Sequence, residues 1–411
     1  MLAAGAAMFP PRTSPMHAVT ESILLYNHGR DPDRVTMKLA AIAAEPFAFF
    51  RGTNHLYAAS LRAEIGLDAP RTYVCGDLHV ENFGSFKGDN GLVYFDLNDF
   101  DDALVAPFTV DAVRMLSSVL VAGHQYGLSE ADARMACANM LGEYTHTLRT
   151  GKPRWIERAT ATGLVATLLR QVKRRRRGAL LAARTTLRGG RRRLNLDRRA
   201  LHAGRDGRER ASHILTIYSQ QEHHGHRFVA EDAARRVAGV GSLGLERYVV
   251  LAHDTQFPAS QRLIDIKRSA PSAWFDTQHQ PHWSSDAQRV VTTQQIMQAA
   301  SPALLSYVAL GRRESFVVKS LQPTTDRVDL AHCRDKAALA DVLGCMARAA
   351  AWAHLRGCGH QAADRIEKLQ DFAAGGRWQS MALRLARHGR DVSLAQWKTY
   401  AEDYRKARGG K

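Results

Sequence analysis

Two short stretches concentrate the groups that can do chemistry. The first, CGDLHVENFGSF, places Asp77 just after an apolar run and Asn82 five residues later. The second, YFDLNDFDDA, adds Asp99, with Asp96 and Asp101 as neighbouring competitors. A loop carboxylate can take the proton of a hydroxyl group. An amide oxygen and a second carboxylate can hold a hard cation such as magnesium, which prefers oxygen ligands and keeps positions open for phosphates. The bland alternative is an acidic turn, since Asp and Asn also serve turns through local hydrogen bonds. His79 and Glu81 lie between Asp77 and Asn82 and read as side chains facing solvent rather than as ligands.

The spacing D-L-x-x-x-N is that of a kinase catalytic loop, in which the Asp is the base and the Asn a magnesium ligand. A second constellation agrees with it. Gly239, Gly241 and Gly244 form GVGSLG, with Ser242 at the tip as a further donor. A GxGxxG alone is weak evidence, and in a dinucleotide-binding fold it must open a helix. Here LERYVVLA follows, a strand by composition. A Gly-rich turn between strands covers phosphates with its amides in kinases, and Lys267, ending RLIDIK, is placed to grip them. The cofactors this set implies are ATP and Mg2+. The helical stretch after Lys267, AQRVVTTQQIMQAAS, lacks the Glu that pairs with such a lysine. Gln294, Gln295 and Gln298 are its neutral candidates.

The elements that must position these groups are legible in outline. Residues 1–70 read as helical, broken at EPFAFFRG by Pro46 and Gly52. The β-rich runs on either side of Gly88-Asp89-Asn90-Gly91 predict a hairpin. Residues 111–150 have helical spacing. Strand-like runs begin at Val237 and include RESFVVKSLQP. An amphipathic helix spans about Lys336 to Leu355, and the tail is polar and helical. The expected domains are 1–225 (helical catalytic lobe with catalytic loop, metal hairpin and Arg-rich segment), 226–335 (nucleotide lobe) and 336–411 (helices returning to the catalytic lobe).

The order of parts is unusual. The Gly-rich loop, Lys267, the Gln-rich helix, FVVKSLQP as a hinge and the long helix run in kinase order, but the catalytic loop stands near the N-terminus. A circular permutation, with breaks at exposed sites, closes that gap. The motifs CGDLHVENFGSF, FDLNDFDDA, PFAFFRG, GVGSLGLERYVVL, LIDIKRSAPS and AQRVVTTQQIMQ, with Asp111 and Arg114 in VDAVRMLSS, resemble the bacterial domain of unknown function 2252 family over about residues 25–405. GDLHVENFG and NDFDDA also resemble aminoglycoside phosphotransferases. The resemblance implies an α+β, two-lobed, circularly permuted kinase-like fold, with a small antiparallel sheet in one lobe and a largely helical other. It implies Asp77 as base, Asn82 and Asp99 as metal ligands, and Asp111 as a buried carboxylate bracing the catalytic loop. The expected reaction is phosphoryl transfer to a hydroxyl acceptor, a small molecule or an anionic one, with nucleotidyl transfer or a pseudokinase as alternatives.

Composition limits other classes. The charge of +17 is concentrated: residues 173–210 hold 15 Lys and Arg against Asp197, Asp206 and Glu209. Non-specific nucleic-acid contact through 173–210 is the non-enzymatic alternative, against a solvated basic helix. The absence of aromatics there argues against base stacking. Five scattered cysteines without a CxxC pair fit a reducing, cytoplasmic setting. No apolar run reaches the ~18 residues of a membrane span. MLAAGAAMFPP has no Lys or Arg ahead of its apolar part and reads as a frayed end rather than a secretory signal. His223, His224 and His226 read as a solvated loop rather than a zinc site. GDLH also resembles a metallophosphoesterase motif, but the Gly-Asn-His that such a site needs downstream is missing. Arg51 reads either as an anion contact or as a stacked cap.

Overall fold

The computed structural model describes residues 17–65, 68–174, 177–221, 227–274, 279–311, 314–322, 327–333 and 335–409. The apolar N-terminal stretch and His223, His224 and His226 lie outside the described residues. The class is α+β, and every strand pairing is antiparallel. Among the described residues no helix is long and apolar enough to cross a membrane.

Four helices come first: α1 (Ala18–Tyr26), α2 (Pro32–Ala44), α3 (Pro46–Gly52) and α4 (Asn54–Leu61). The stretch expected to break the helical run is itself α3. Pro46 occupies its first turn, where a missing N–H costs nothing. The Glu45 carboxylate accepts from the amides of Phe47 (2.8 Å) and Ala48 (2.6 Å). Then β1 (Arg71–Val74), the expected hairpin of β2 (Phe83–Lys87) and β3 (Val93–Leu97), and β4 (Leu104–Pro107) follow. β1 pairs with β4, so residues 75–103, which carry both acidic motifs, form an excursion from one short ladder.

Helices α5 (Thr109–Ala122) and α6 (Glu130–Thr150) build the main core with later helices, and β5 (Ile156–Glu157) joins β3. The basic segment, expected as helix plus loop, is more structured: α7 (Gly163–Arg174), α8 (Arg177–Arg184), a hairpin of β6 (Thr185–Arg188) and β7 (Arg191–Leu194), then β8 (Ala200–His202) and α9 (Gly204–Gln220). Residues ahead of 225, the expected boundary, already contribute to the sheet. β8 already pairs with the following strand, and α9 packs its stripe of Ile214, Leu215 and Tyr218 on the sheet core of Ile264, Ile266 and Phe316. The apolar stripe decides this, because three large side chains at helical spacing must be buried.

The sheet contains β9 (Phe228–Arg236), β10 (Arg247–Asp254) and β11 (Phe257–Arg268), followed after α10 (Asp286–Met297) by β12 (Ser306–Gly311) and β13 (Glu314–Ser320). Its order is β12-β13-β11-β10-β9-β8. The chain ends in α11 (Lys336–Gly357), α12 (Ile366–Ala374) and α13 (Arg377–Gly409), which pack with α5 and α6. The end of α11 meets β1: Thr72 Oγ1 donates to the His354 carbonyl at 2.8 Å. A Cβ on Gly357 would stand 3.0 Å from the Tyr73 nitrogen, so glycine permits this close approach.

Candidate active site

Asp77 follows β1 through a turn that only glycine suits. Gly76 has φ +73°, and a Cβ there would lie 2.2 Å from the Asp102 carbonyl oxygen. The turn is held from below. Asp111, fully buried in the first turn of α5, accepts from the backbone N–H groups of Cys75 (2.7 Å) and Gly76 (2.9 Å), and lies 3.1 Å from His354 Nε2. Gly76→Ala combines left-handed strain with a backbone clash. It is expected to cost at least ~2 kcal/mol, visible as a lower thermal midpoint.

The Asp77 carboxylate keeps a fifth of its side-chain surface open to the cleft and pairs with Arg114 at 2.8 Å. Arg114 is itself fully buried, its guanidinium 3.5 Å from the Phe50 ring centroid and 4.3 Å from that of Tyr57. Burial pushes Asp77 up to about 8, and Arg114 opposes that rise. Asn82 ends a single 3-10 turn, and its Nδ2 donates to the Asp77 carbonyl at 2.6 Å. With the nitrogen so committed, Oδ1 is the group left for a cation.

The second acidic motif faces the same cleft from the other side of the excursion. Asp99, Asp101 and Asp102 line it together with Asp77 and Asn82. Asp96 does not. It is buried, 3.2 Å from Arg356 Nη2, and accepts from the amide of Leu97. Lys267, on β11, pairs with Asp101 and lies 4.0 Å from Asp99. Burial raises Asp99 toward the neutral form, but Lys267 and Lys319 outweigh it and hold the carboxyl below its ordinary range. Burial and the Asp99 charge raise Asp101 instead. Of the pair, Asp99 is the carboxyl more readily ionised.

Lys267 finds its partners in these aspartates and not in α10. Gln294 is buried in the cleft wall and donates to Gln298, which donates to the Leu97 carbonyl at 2.5 Å; Gln295 is exposed. The helix acts through Arg289, which sequence reasoning missed. Its buried guanidinium donates to the carbonyls of Asp101, Ala103 and Ala270, and so ties the acidic loop to the turn after β11.

The Gly-rich loop joins β9 to β10. Gly239, Gly241 and Ser242 line the cleft opposite Asp77. Gly244 serves a different purpose: with φ +90°, it lies where a Cβ would press on Arg30 and Val35 at 2.9 Å, so it docks the loop on α2. Buried Lys38 completes that docking by donating to the Gly241 carbonyl at 2.9 Å. Ser242 Oγ donates to the Ala238 carbonyl at 3.3 Å.

Arg51 and Arg327 both reach Glu81, at 2.5 and 3.6 Å, across the junction of this cleft with an adjoining one under the sheet. Arg51 is thus an ion-paired cleft residue as well as a partner of Phe47, whose ring centroid is 5.8 Å away. His79 is buried against Phe47 and accepts from the Glu81 amide at 3.2 Å. Burial, then the Arg51 charge, drive its pKa well down, so it is a neutral turn residue. Among the described residues no group of three or more His, Cys, Asp and Glu side chains is arranged to hold a metal ion. An Asn–Asp oxygen set completed by phosphate and water oxygens is the kind of donor set magnesium accepts.

A family model described as "Uncharacterized protein conserved in bacteria (DUF2252)" matches residues 30–403. No curated protein and no solved structure matches the chain.

Proposed function

We propose, for a chain that belongs to the DUF2252 family of bacterial proteins, the function of an ATP- and magnesium-dependent phosphotransferase. It has a circularly permuted kinase-like architecture and acts on a hydroxyl acceptor. The observation that carries this reading is the meeting in one cleft of Asp77, Asn82 and Asp99 with Gly239, Gly241 and Ser242, although the two sets lie far apart in the chain. Counting from the strand before the Gly-rich loop, Lys267 stands on the third strand, where a kinase carries its phosphate lysine. The contact of the end of α11 with β1 supports the permutation. It puts the long helix just before the catalytic loop in space, as the unpermuted order does in sequence.

In this reading Asp77 accepts the hydroxyl proton, with its carboxylate oriented by Arg114. Asn82 Oδ1 and Asp99 would hold the cation, which when bound neutralises developing charge on the phosphates. Lys267 would leave Asp101 to contact them. A base, a cation site and a phosphate lysine are what this transfer requires, since catalysis there is positioning plus charge stabilisation.

Calorimetry with ATP and magnesium tests the assignment. Lys267→Ala and Asp99→Ala are each expected to weaken binding about 10–100-fold, from the ~1.5–3 kcal/mol of a charge-assisted hydrogen bond. Unchanged affinity in both variants would reject the site.

A further inference from the structure

The two faces of the six-stranded sheet differ in chemistry. Alternation along β11 sends Ile264 and Ile266 into the core under α9 and puts Leu263, Asp265 and Lys267 on the opposite face. That opposite face is itself divided. Its apolar part, with Val249, Leu251, Leu263 and Leu321, is already covered by Leu180, Leu181 and Leu194 from the arginine-rich segment. What remains open to the adjoining cleft is rich in charge, with Val237, Val290 and Val317 as apolar neighbours. Arg199, Arg236, Arg247, Lys267, Lys319 and Arg327 line it, against the carboxylates of Asp99, Asp101 and Asp265.

The cations there are in excess of their local partners. Buried Asp265 receives two guanidiniums at once: Arg247 through Nε (2.9 Å) and Nη2 (2.6 Å), and Arg236 through Nη1 (2.5 Å). One carboxylate cannot neutralise both. Burial, and next the Arg247 charge, push Arg236 down to about 10. Lys319 forms no ion pair or side-chain hydrogen bond among the described residues. Burial lowers its pKa; the Asp265 charge opposes this, and Arg247 and Lys267 lower it further. Crowded, partly desolvated cations are costly unless a counter-charge arrives. A nucleobase prefers an apolar slot with few polar groups, and the apolar cluster of Val249, Leu251, Leu263 and Leu321 is already covered.

We propose that the basic half of this cleft is a subsite for a ligand carrying at least two phosphate groups, gripped by Arg236, Arg247 and Lys319, with Arg199 and Arg327 at its mouth. The fate of that ligand rests on the phosphotransferase reading; its binding does not. The arginine-rich segment thereby gains a local role. It roofs the apolar half of the sheet face and lends Arg199 to the charged half. Two sources share this chemistry, the phosphate chain of the donor and a phosphorylated acceptor.

The test is a calorimetric titration of the metal-free protein with inorganic tripolyphosphate. Lys319→Met is expected to weaken binding about tenfold or more, and Lys319→Arg to retain it. Because Lys319→Met removes a charge without a direct partner, its melting temperature should not fall, which separates lost binding from lost folding. Wild-type affinity should drop as salt is raised. Equal affinity of wild type and Lys319→Met would overturn the subsite, and so would displacement of tripolyphosphate by adenosine. Repeating the titration with ATP present identifies the source: competition assigns the subsite to the donor's phosphates, and simultaneous binding assigns it to a phosphorylated acceptor. Failure here leaves the magnesium–ATP results with Lys267→Ala and Asp99→Ala standing, so the two ideas can fail separately.

Discussion

Asp77→Asn is expected to lower transfer of the γ-phosphoryl group by about 10²–10⁴-fold, the contribution of a positioned general base, while ATP and magnesium still bind. The substitution keeps the shape of the side chain but removes its ability to take a proton. The fold around it should persist, because Gly76, Asp111 and the Asp77 carbonyl are untouched. Incorporation of γ-labelled phosphate into a cell extract is the measurement. Wild-type incorporation by the variant would remove Asp77 from the mechanism. Incorporation of α-label instead would indicate nucleotidyl transfer, and bound ATP without either label transferred would indicate a pseudoenzyme. The pH dependence gives a second signature. A base must be unprotonated, and burial puts Asp77 at about 8 in the ligand-free cleft. kcat/KM, which reports the free protein, should therefore rise with pH and level off above that value. The variant's residual rate should lack that limb.

Asp111→Ala is expected to destabilise the fold by ~3–5 kcal/mol, measured by denaturant unfolding. The side chain is completely buried and receives two backbone amides, those of Cys75 and Gly76, with His354 Nε2 at 3.1 Å. His354 in turn contacts the Tyr144 hydroxyl through Nδ1 at 2.5 Å. One carboxylate thus joins α5, β1, α11 and α6. Alanine would leave two amides without acceptors in a dry core, which costs more than a missing bond at the surface. Asp111→Asn retains one acceptor oxygen and should fall between the two. A loss below ~1 kcal/mol in the alanine variant would mean that the turn before Asp77 is held by something else.

Local chemistry made much of the site readable. GDLHVEN follows a strand, GDNG closes a hairpin, and GVGSLG lies between strands rather than opening a helix, all as their residue types imply. The alternation in RLIDIK carries a signal that the motif alone does not: it puts Asp265 on the face of Lys267 and two isoleucines on the other. The arginine-rich segment was harder to read. Net charge suggested a solvated helix or a polyanion contact, but Leu194 is buried against the sheet with Leu180 and Leu181 half-buried beside it, and Arg210 pairs with Glu246 and Glu314. Charge dominated the composition while a few leucines decided the packing.

The partner of Lys267 shows where local reading stops. The following helix offers glutamines and no Glu. The carboxylate that answers Lys267 belongs to Asp101, 166 residues earlier in the chain. The same holds for Arg289, which sits in the first turn of α10 but closes the acidic loop. Sequence by itself determined which groups could act and which backbone each stands on, because strand alternation, turn residues and apolar periodicity are local properties. Tertiary structure alone decided which of those groups meet. An ion pair or a cleft needs two distant segments, and their meeting is set by burial of apolar surface elsewhere, here the packing of α11 on β1 and of α9 on the sheet.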